Sequence, residues 1–196
     1  MRQNTQSIER LISKFGTLSS VGKKTAMRYA YNIVDMPLEQ VQDFCDAMME
    51  VKQKVKYCIK CATFCETEMC EICQMRKSNV LCVVAYPRDV LSIERTRGYD
   101  GLYHVLHGTI SPIDGRGPDD LRIKELLARL DGSIDEVIIA TNPDIEGDVT
   151  AMYIARLLKP LNIKASRIAQ GISIGSDIEY VDETTLTRAI SNRVEI

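Results

Sequence analysis

Four cysteines in two closely spaced pairs constrain this chain more than any other stretch of it. Cys58-Ile59-Lys60-Cys61 and Cys70-Glu71-Ile72-Cys73 fall within sixteen residues. A two-residue gap lets both thiolates of a pair point at one ion, and two such pairs complete a tetrahedron. Eight residues separate the pairs, and the segment from Tyr57 to Gln74 has too few large apolar side chains to fold unaided. A structural metal supplies the missing free energy, on the order of 10 to 16 kcal/mol for zinc in isolated fingers. The spacing therefore predicts one structural zinc per chain on Cys58, Cys61, Cys70 and Cys73, rather than disulfides. Four thiolates leave no open coordination position, so the ion has no catalytic role. Cys65 suits neither pair and is read as unliganded. Cys45 and Cys82 fall in apolar helix and strand patterns, which assigns them to the core.

At 196 residues, 45% of them hydrophobic, the chain can build one ordinary domain plus small modules, and disorder is excluded. The start, Met1 to Gln6, is polar and no apolar run reaches membrane length, so neither a signal peptide nor a transmembrane helix is expected and the location is read as cytoplasmic. Net charge is only -2, but it is unevenly spread: residues 1–60 hold ten Lys and Arg against six Asp and Glu, and the rest hold fifteen against twenty-one. A basic front and an acidic back imply two different jobs.

Ile8, Leu11, Ile12 and Phe15 recur with helical period up to Gly16. A second helical pattern follows Gly22, with Ala26, Tyr29, Ala30, Ile33 and Val34 on its inner face. Lys24 and Arg28 share another face, with Lys23 beside them. The tight connection from Leu18 to Gly22 meets a helix N-terminus backed by lysines, a geometry that attracts phosphate. A solvated basic face is the competing reading. The stretch resembles a helix-hairpin-helix DNA-binding motif, with Ser20 at its first glycine position and Ser19 at the usual proline. Gly22-Lys23-Lys24-Thr25 is not a P-loop, because no strand precedes it and the expected upstream glycine is absent. Pro37 then opens a third helix whose stripe, Leu38, Val41, Phe44, Cys45, Met48, Val51 and Val55, is read as core or as a self-association seam.

From residue 80 strand and helix patterns alternate: a strand over 80–85, a helix from Pro87, strands at 103–106, 136–140 and 164–168, and helices from Pro118 and from Asp148 to Lys159. Alternation of this kind implies a mainly parallel sheet covered by helices, with ligands beyond the carboxyl ends of its strands. His104 and His107 are read as sheet and loop residues. After Ala140 comes Thr141-Asn142-Pro143-Asp144-Ile145-Glu146-Gly147-Asp148, which resembles the acidic motif of the Toprim fold. Catalytic Toprim proteins carry a glutamate at the end of the first strand and an Asp-x-Asp pair, where this chain has Ala85 and Asn142. Asp144, Glu146 and Asp148 remain, either as a weak magnesium site or as acidic residues capping a helix N-terminus.

Taken together, these features are similar to the RecR family of bacterial recombination mediators. The resemblance rests on Tyr57 to Cys73, Glu94-Arg95-Thr96, the run from Tyr99 to Gly108, Ile110-Ser111-Pro112, Ala140 to Pro143 with Glu146-Gly147, and Gly175-Ser176-Asp177-Ile178-Glu179-Tyr180. It implies an α+β protein in four parts: a helix-hairpin-helix-like DNA-binding module over 1–56, a four-cysteine zinc finger over 57–74, a Toprim-like α/β domain over 79–172, and a C-terminal oligomerisation segment over 173–196. The family members are not known as enzymes. The resemblance further implies a homo-oligomer, dimer or tetrameric ring, that binds DNA without sequence preference and works with RecO and RecF to place RecA on gapped DNA. Lys24 and Arg28 match the family's DNA-contacting residues, and Asp144 and Glu146 its acidic site, where RecO is expected to dock. The departures are Ala85 for glutamate and Ser19-Ser20 for Pro-Gly. A magnesium-dependent Toprim nuclease or primase-like enzyme is the alternative reading.

Overall fold

The computed structural model describes residues 4–195; Met1, Arg2 and Gln3 of the polar start and Ile196 of the C-terminal segment lie outside them. Two compact units divide between Val55 and Lys56.

The first unit is helical. Helix α1 (Gln6–Phe15) is capped by the Thr5 side chain, which accepts from the Ile8 amide, and stops at Gly16. Helix α2 (Lys23–Asp35) packs on α1, where Phe15 meets Tyr29 edge-on at 5.6 Å. Its buried positions are Ala26 and Ala30. Tyr29 and Val34, expected on the same inner face, are exposed. Helix α3 (Leu38–Lys54) has no buried residue. The core reading of its stripe is therefore corrected: Leu38 is 83% exposed, and Cys45 is exposed rather than core. Periodicity aligns apolar residues on one face of a helix but does not supply a cover for that face.

The second unit begins with a short antiparallel hairpin, β1 (Lys56–Tyr57) and β2 (Phe64–Cys65), and a one-turn helix, α4 (Glu71–Met75). There follow β3 (Val80–Val84), α5 (Pro87–Thr96), β4 (Leu102–Val105), α6 (Ile123–Ala128), β5 (Glu136–Ala140), α7 (Ile145–Leu158), β6 (Lys164–Arg167) and α8 (Glu183–Ser191). The four long strands form a parallel sheet in the order β4-β3-β5-β6, so the chain is mixed α and β with a parallel sheet, as its alternating pattern predicts. One face buries Leu81, Val83, Val137 and Ile139 against Leu106, Leu126, Ile154 and Leu158; the other buries Cys82, Val84 and Tyr103 against Val90. Strands covered on both faces account for the uninterrupted apolar run at 80–85.

Two boundaries differ from the sequence reading. The helix expected from Pro118 is a single 3-10 turn, Pro118–Asp120, and α6 starts only at Ile123. Between them Leu121 is extended, and the Arg122 amide donates to Leu106 O at 3.1 Å, which ties the chain to the end of β4 and interrupts the helix. Helix α7 begins at Ile145, three residues before Asp148, because Asp144 caps it.

Candidate functional site

The hairpin and α4 form two cysteine knuckles. In the first, the Cys58 amide donates to Thr63 O at 2.8 Å and the Ala62 amide to Cys58 O at 2.9 Å, with Ala62 in the left-handed region at φ 62°. In the second, Cys70 sits at the N-cap of α4 and Cys73 one turn along. The Ile59 amide donates to Glu68 O at 2.9 Å and the Cys70 amide to Cys58 Sγ at 3.4 Å, which holds the knuckles face to face. The four Sγ atoms lie within 4.8 Å of one another and are buried. Ligand sulfurs around a tetrahedral ion at about 2.3 Å are roughly 3.8 Å apart, so the cluster has the size such an ion requires.

The thiols also perturb one another. Burial works to raise Cys58, but hydrogen bonds from the Cys70, Cys61 and Lys60 amides outweigh it and bring Cys58 down to about 6. Cys61 is pushed up by its hydrogen bond to Cys73 and by burial, and Cys70 is pushed up to about 12, by burial first. Four sulfurs at this spacing ionise together only around a cation. Cys65 lies outside the cluster and donates to Thr67 O at 3.0 Å.

The knuckle is fastened to the sheet. The Val105 amide on β4 donates to Cys61 O at 2.9 Å, and His107 Nε2 lies 2.8 Å from Ala62 O. Beyond α4, Arg76 forms a two-pronged pair with Glu94 of α5 at 2.8 and 2.7 Å and reaches Gly101 O at 3.3 Å. The guanidinium holds the Glu94 carboxyl below its usual range.

At the carboxyl end of β5 each acidic residue has its own protein partner. Asp144 accepts from the Gly147 amide at 2.7 Å and is the helix cap. Glu146 accepts from Ser111 Oγ at 2.6 Å and Thr109 Oγ1 at 3.0 Å. Ser111 Oγ also lies 3.1 Å from Asp114 Oδ2; with one proton to give, it serves the nearer Glu146. Asp148 is paired with Arg167 at 2.6 Å and Arg188 at 2.9 Å. Burial works to raise Asp148, and the two arginines outweigh it and hold it below the usual carboxylate range. The three carboxylates do not converge: among the described residues the four cysteines are the one group arranged for a metal ion. Asp144 is the cap of α7, with Glu146 and Asp148 in its first turn, so all three acids stand at the helix N-terminus that the capping reading gave them. Ala85, buried at the end of β3, contributes only its carbonyl, to the Gly108 amide at 3.0 Å.

In the first unit Lys23 and Lys24 open α2, and both are exposed, as is Arg28, whose guanidinium lies 5.8 Å from the Tyr29 ring centre. Gly22 at the N-cap offers no side chain to the first-turn amides. Ser20 takes the left-handed conformation, φ 64°, in the turn where helix-hairpin-helix motifs place glycine. Sequence reasoning did not find Thr109, Ser111, Arg167 or Arg188 as partners of the acidic loop. Ser111 is 35 positions from Glu146 and Arg188 is 40 from Asp148, and no local pattern spans such distances.

A helical hairpin unit, a buried four-cysteine knuckle and a small parallel sheet with acidic residues at a strand end define a Toprim-containing protein of the nucleic-acid-handling type. Residues 79–169 match the Toprim domain family, residues 8–52 the family described as RecR, helix-hairpin-helix, and residues 171–194 that described as RecR, C-terminal. The chain is 48% identical over 192 residues to Recombination protein RecR of Clostridium perfringens strain ATCC 13124, covering 97% of each chain, and equally so to that of strain 13. It belongs to the RecR family.

Proposed function

We propose that the chain is a non-catalytic, DNA-binding recombination mediator that acts with RecO and RecF to place RecA on gapped DNA. DNA lies against Lys23, Lys24 and Arg28 at the start of α2, and the ion held by Cys58, Cys61, Cys70 and Cys73 is a structural zinc. Four buried thiolates suit that ion and leave it no free position for a reaction. The functional parts divide as 1–56, 57–74, 79–172 and 173–196. RecO docks at the acidic loop around Asp144, Glu146 and Asp148.

One observation carries the non-catalytic reading. Each carboxylate of the loop is already engaged by the protein's own donors, and Ala85 puts a methyl group where a metal-dependent enzyme needs an oxygen. Among the described residues no helix is long and apolar enough to cross a membrane.

Gel-shift titration across salt concentrations tests the DNA surface. Lys24→Ala with Arg28→Ala is expected to weaken binding to every sequence alike and to reduce the salt slope by about 0.9 for each phosphate no longer neutralised. Unchanged affinity and slope would sink the assignment. Glu146→Ala is expected to keep DNA affinity and to weaken capture of RecO; magnesium-dependent cleavage by the native chain that Glu146→Ala abolishes would favour the enzyme reading.

A further inference from the structure

Arg129, just past the end of α6, is only partly accessible to solvent. Its Nη1 donates to Tyr103 O at 2.6 Å and lies 3.3 Å from His104 Nδ1. A guanidinium has only donors, so Nδ1 accepts, the imidazole proton sits on Nε2, and Nε2 donates to Arg122 O at 2.7 Å. His104 is therefore neutral and cancels none of the arginine's charge. Among the described residues Arg129 makes no salt bridge; the nearby Glu125 is engaged with Arg122 at 3.6 Å. A desolvated cation without a carboxylate needs another source of negative charge.

Arg129 lies beside the cysteine knuckle. With Glu125 and Ala128 it lines a crevice of about 410 Å³ whose other wall is Ile59, Lys60 and Met69 of the knuckle. Burial works to lower the guanidinium's pKa, and all four cysteines, Cys73 foremost, work to raise it. Four thiolates around a divalent ion carry two negative charges in excess, buried and short of compensation.

We propose that Arg129 is the counter-cation of the four-cysteine centre, a positioning residue whose fixed charge raises the cysteines' affinity for their ion. Because the same guanidinium grips Tyr103 O, and Val105 two residues on donates to Cys61 O, ion occupancy is linked to the ordering of β4 and α6. The proposal rests on the zinc reading, so the zinc content of the purified native chain is measured first; absence of metal there removes that reading itself, before any variant is made.

The test is competition for zinc between the folded protein and a metallochromic chelator. Arg129→Gln keeps a donor for Tyr103 O but removes the charge, and is expected to lose zinc at about 10- to 100-fold lower chelator concentration. Arg129→Lys keeps the charge and is expected to stay within about threefold of native, well inside that range. Lys60→Gln removes an exposed charge from the same crevice and is expected to change nothing. Native zinc retention in Arg129→Gln overturns the proposal. Equal loss in the Gln and Lys variants also overturns it, by assigning the effect to hydrogen bonding. Should Arg129→Gln fail to fold, Arg129→Met replaces it beside Arg129→Lys: loss of about tenfold in Met with near-native retention in Lys upholds the proposal, and native retention in Met or equal loss in both overturns it.

Discussion

His104 lies on β4 among buried residues, with Arg122 O on one side of its ring and Arg129 on the other. Burial pulls its pKa down to about 4, and the nearby arginines add to the effect. The unfolded chain binds a proton at this position near pH 6.5, whereas the folded chain resists until about pH 4. The contribution to stability is thus complete above about pH 6.5 and is lost as pH falls toward 4, by roughly 3 kcal/mol at most. Denaturant unfolding across that window, with zinc in excess, is expected to show a steeper decline for the native chain than for His104→Asn. Parallel slopes would mean that the imidazole does not set acid sensitivity. The sequence placed His104 in the sheet from its apolar neighbours. Its partners were hidden, because Arg122 and Arg129 reach it from 18 and 25 residues away.

The junction of β5 and α7 shows what an element demands of one residue. A Cβ on Gly147 would sit 2.0 Å from Asn142 O, with the Asp144 carboxylate 3.1 Å away, so the helix can pack into its own cap only with glycine there. Gly147→Ala is expected to destabilise by about 3 kcal/mol, the upper range for overpacking, and to shift the loop that presents Asp144 and Glu146. Thermal unfolding within about 1 °C of native would contradict this close approach. Local chemistry was legible here: strand alternation, the cysteine spacing and the acidic turn each report on residues a few positions apart. Long-range pairing was not. Ser111 closes on Glu146, Thr150 takes the Ile110 amide at 2.8 Å, and the acids thought free for a metal are consumed by these interactions. The core reading of the α3 stripe failed for the opposite reason, since an apolar face is visible in sequence whether or not the chain itself covers it.

Across the whole molecule the charge divides into a basic front and an acidic remainder, which confines phosphate-attracting charge to one part of each copy. Several fronts acting together gain affinity by proximity, without any new kind of contact. We propose that copies of the chain assemble through the bare stripe of α3, where Leu38, Phe44, Met48 and Val51 are exposed; an apolar crevice of about 270 Å³ lined by Phe15, Leu18, Ile33 and Phe44 lies in the same unit. Leu38→Glu with Val51→Glu is expected to lower the solution mass to that of one chain and to cut DNA affinity by at least about 100-fold, with helical content unchanged. A native chain that is monomeric and binds DNA just as well would exclude assembly as the source of affinity.

The bond from Val105 to Cys61 reaches beyond the metal. Strand β4 ends the sheet, and a row of unsatisfied backbone groups at such a border invites a foreign strand to add on. The cysteine knuckle sits against that border and takes up the Val105 amide, one of the groups a foreign strand would use.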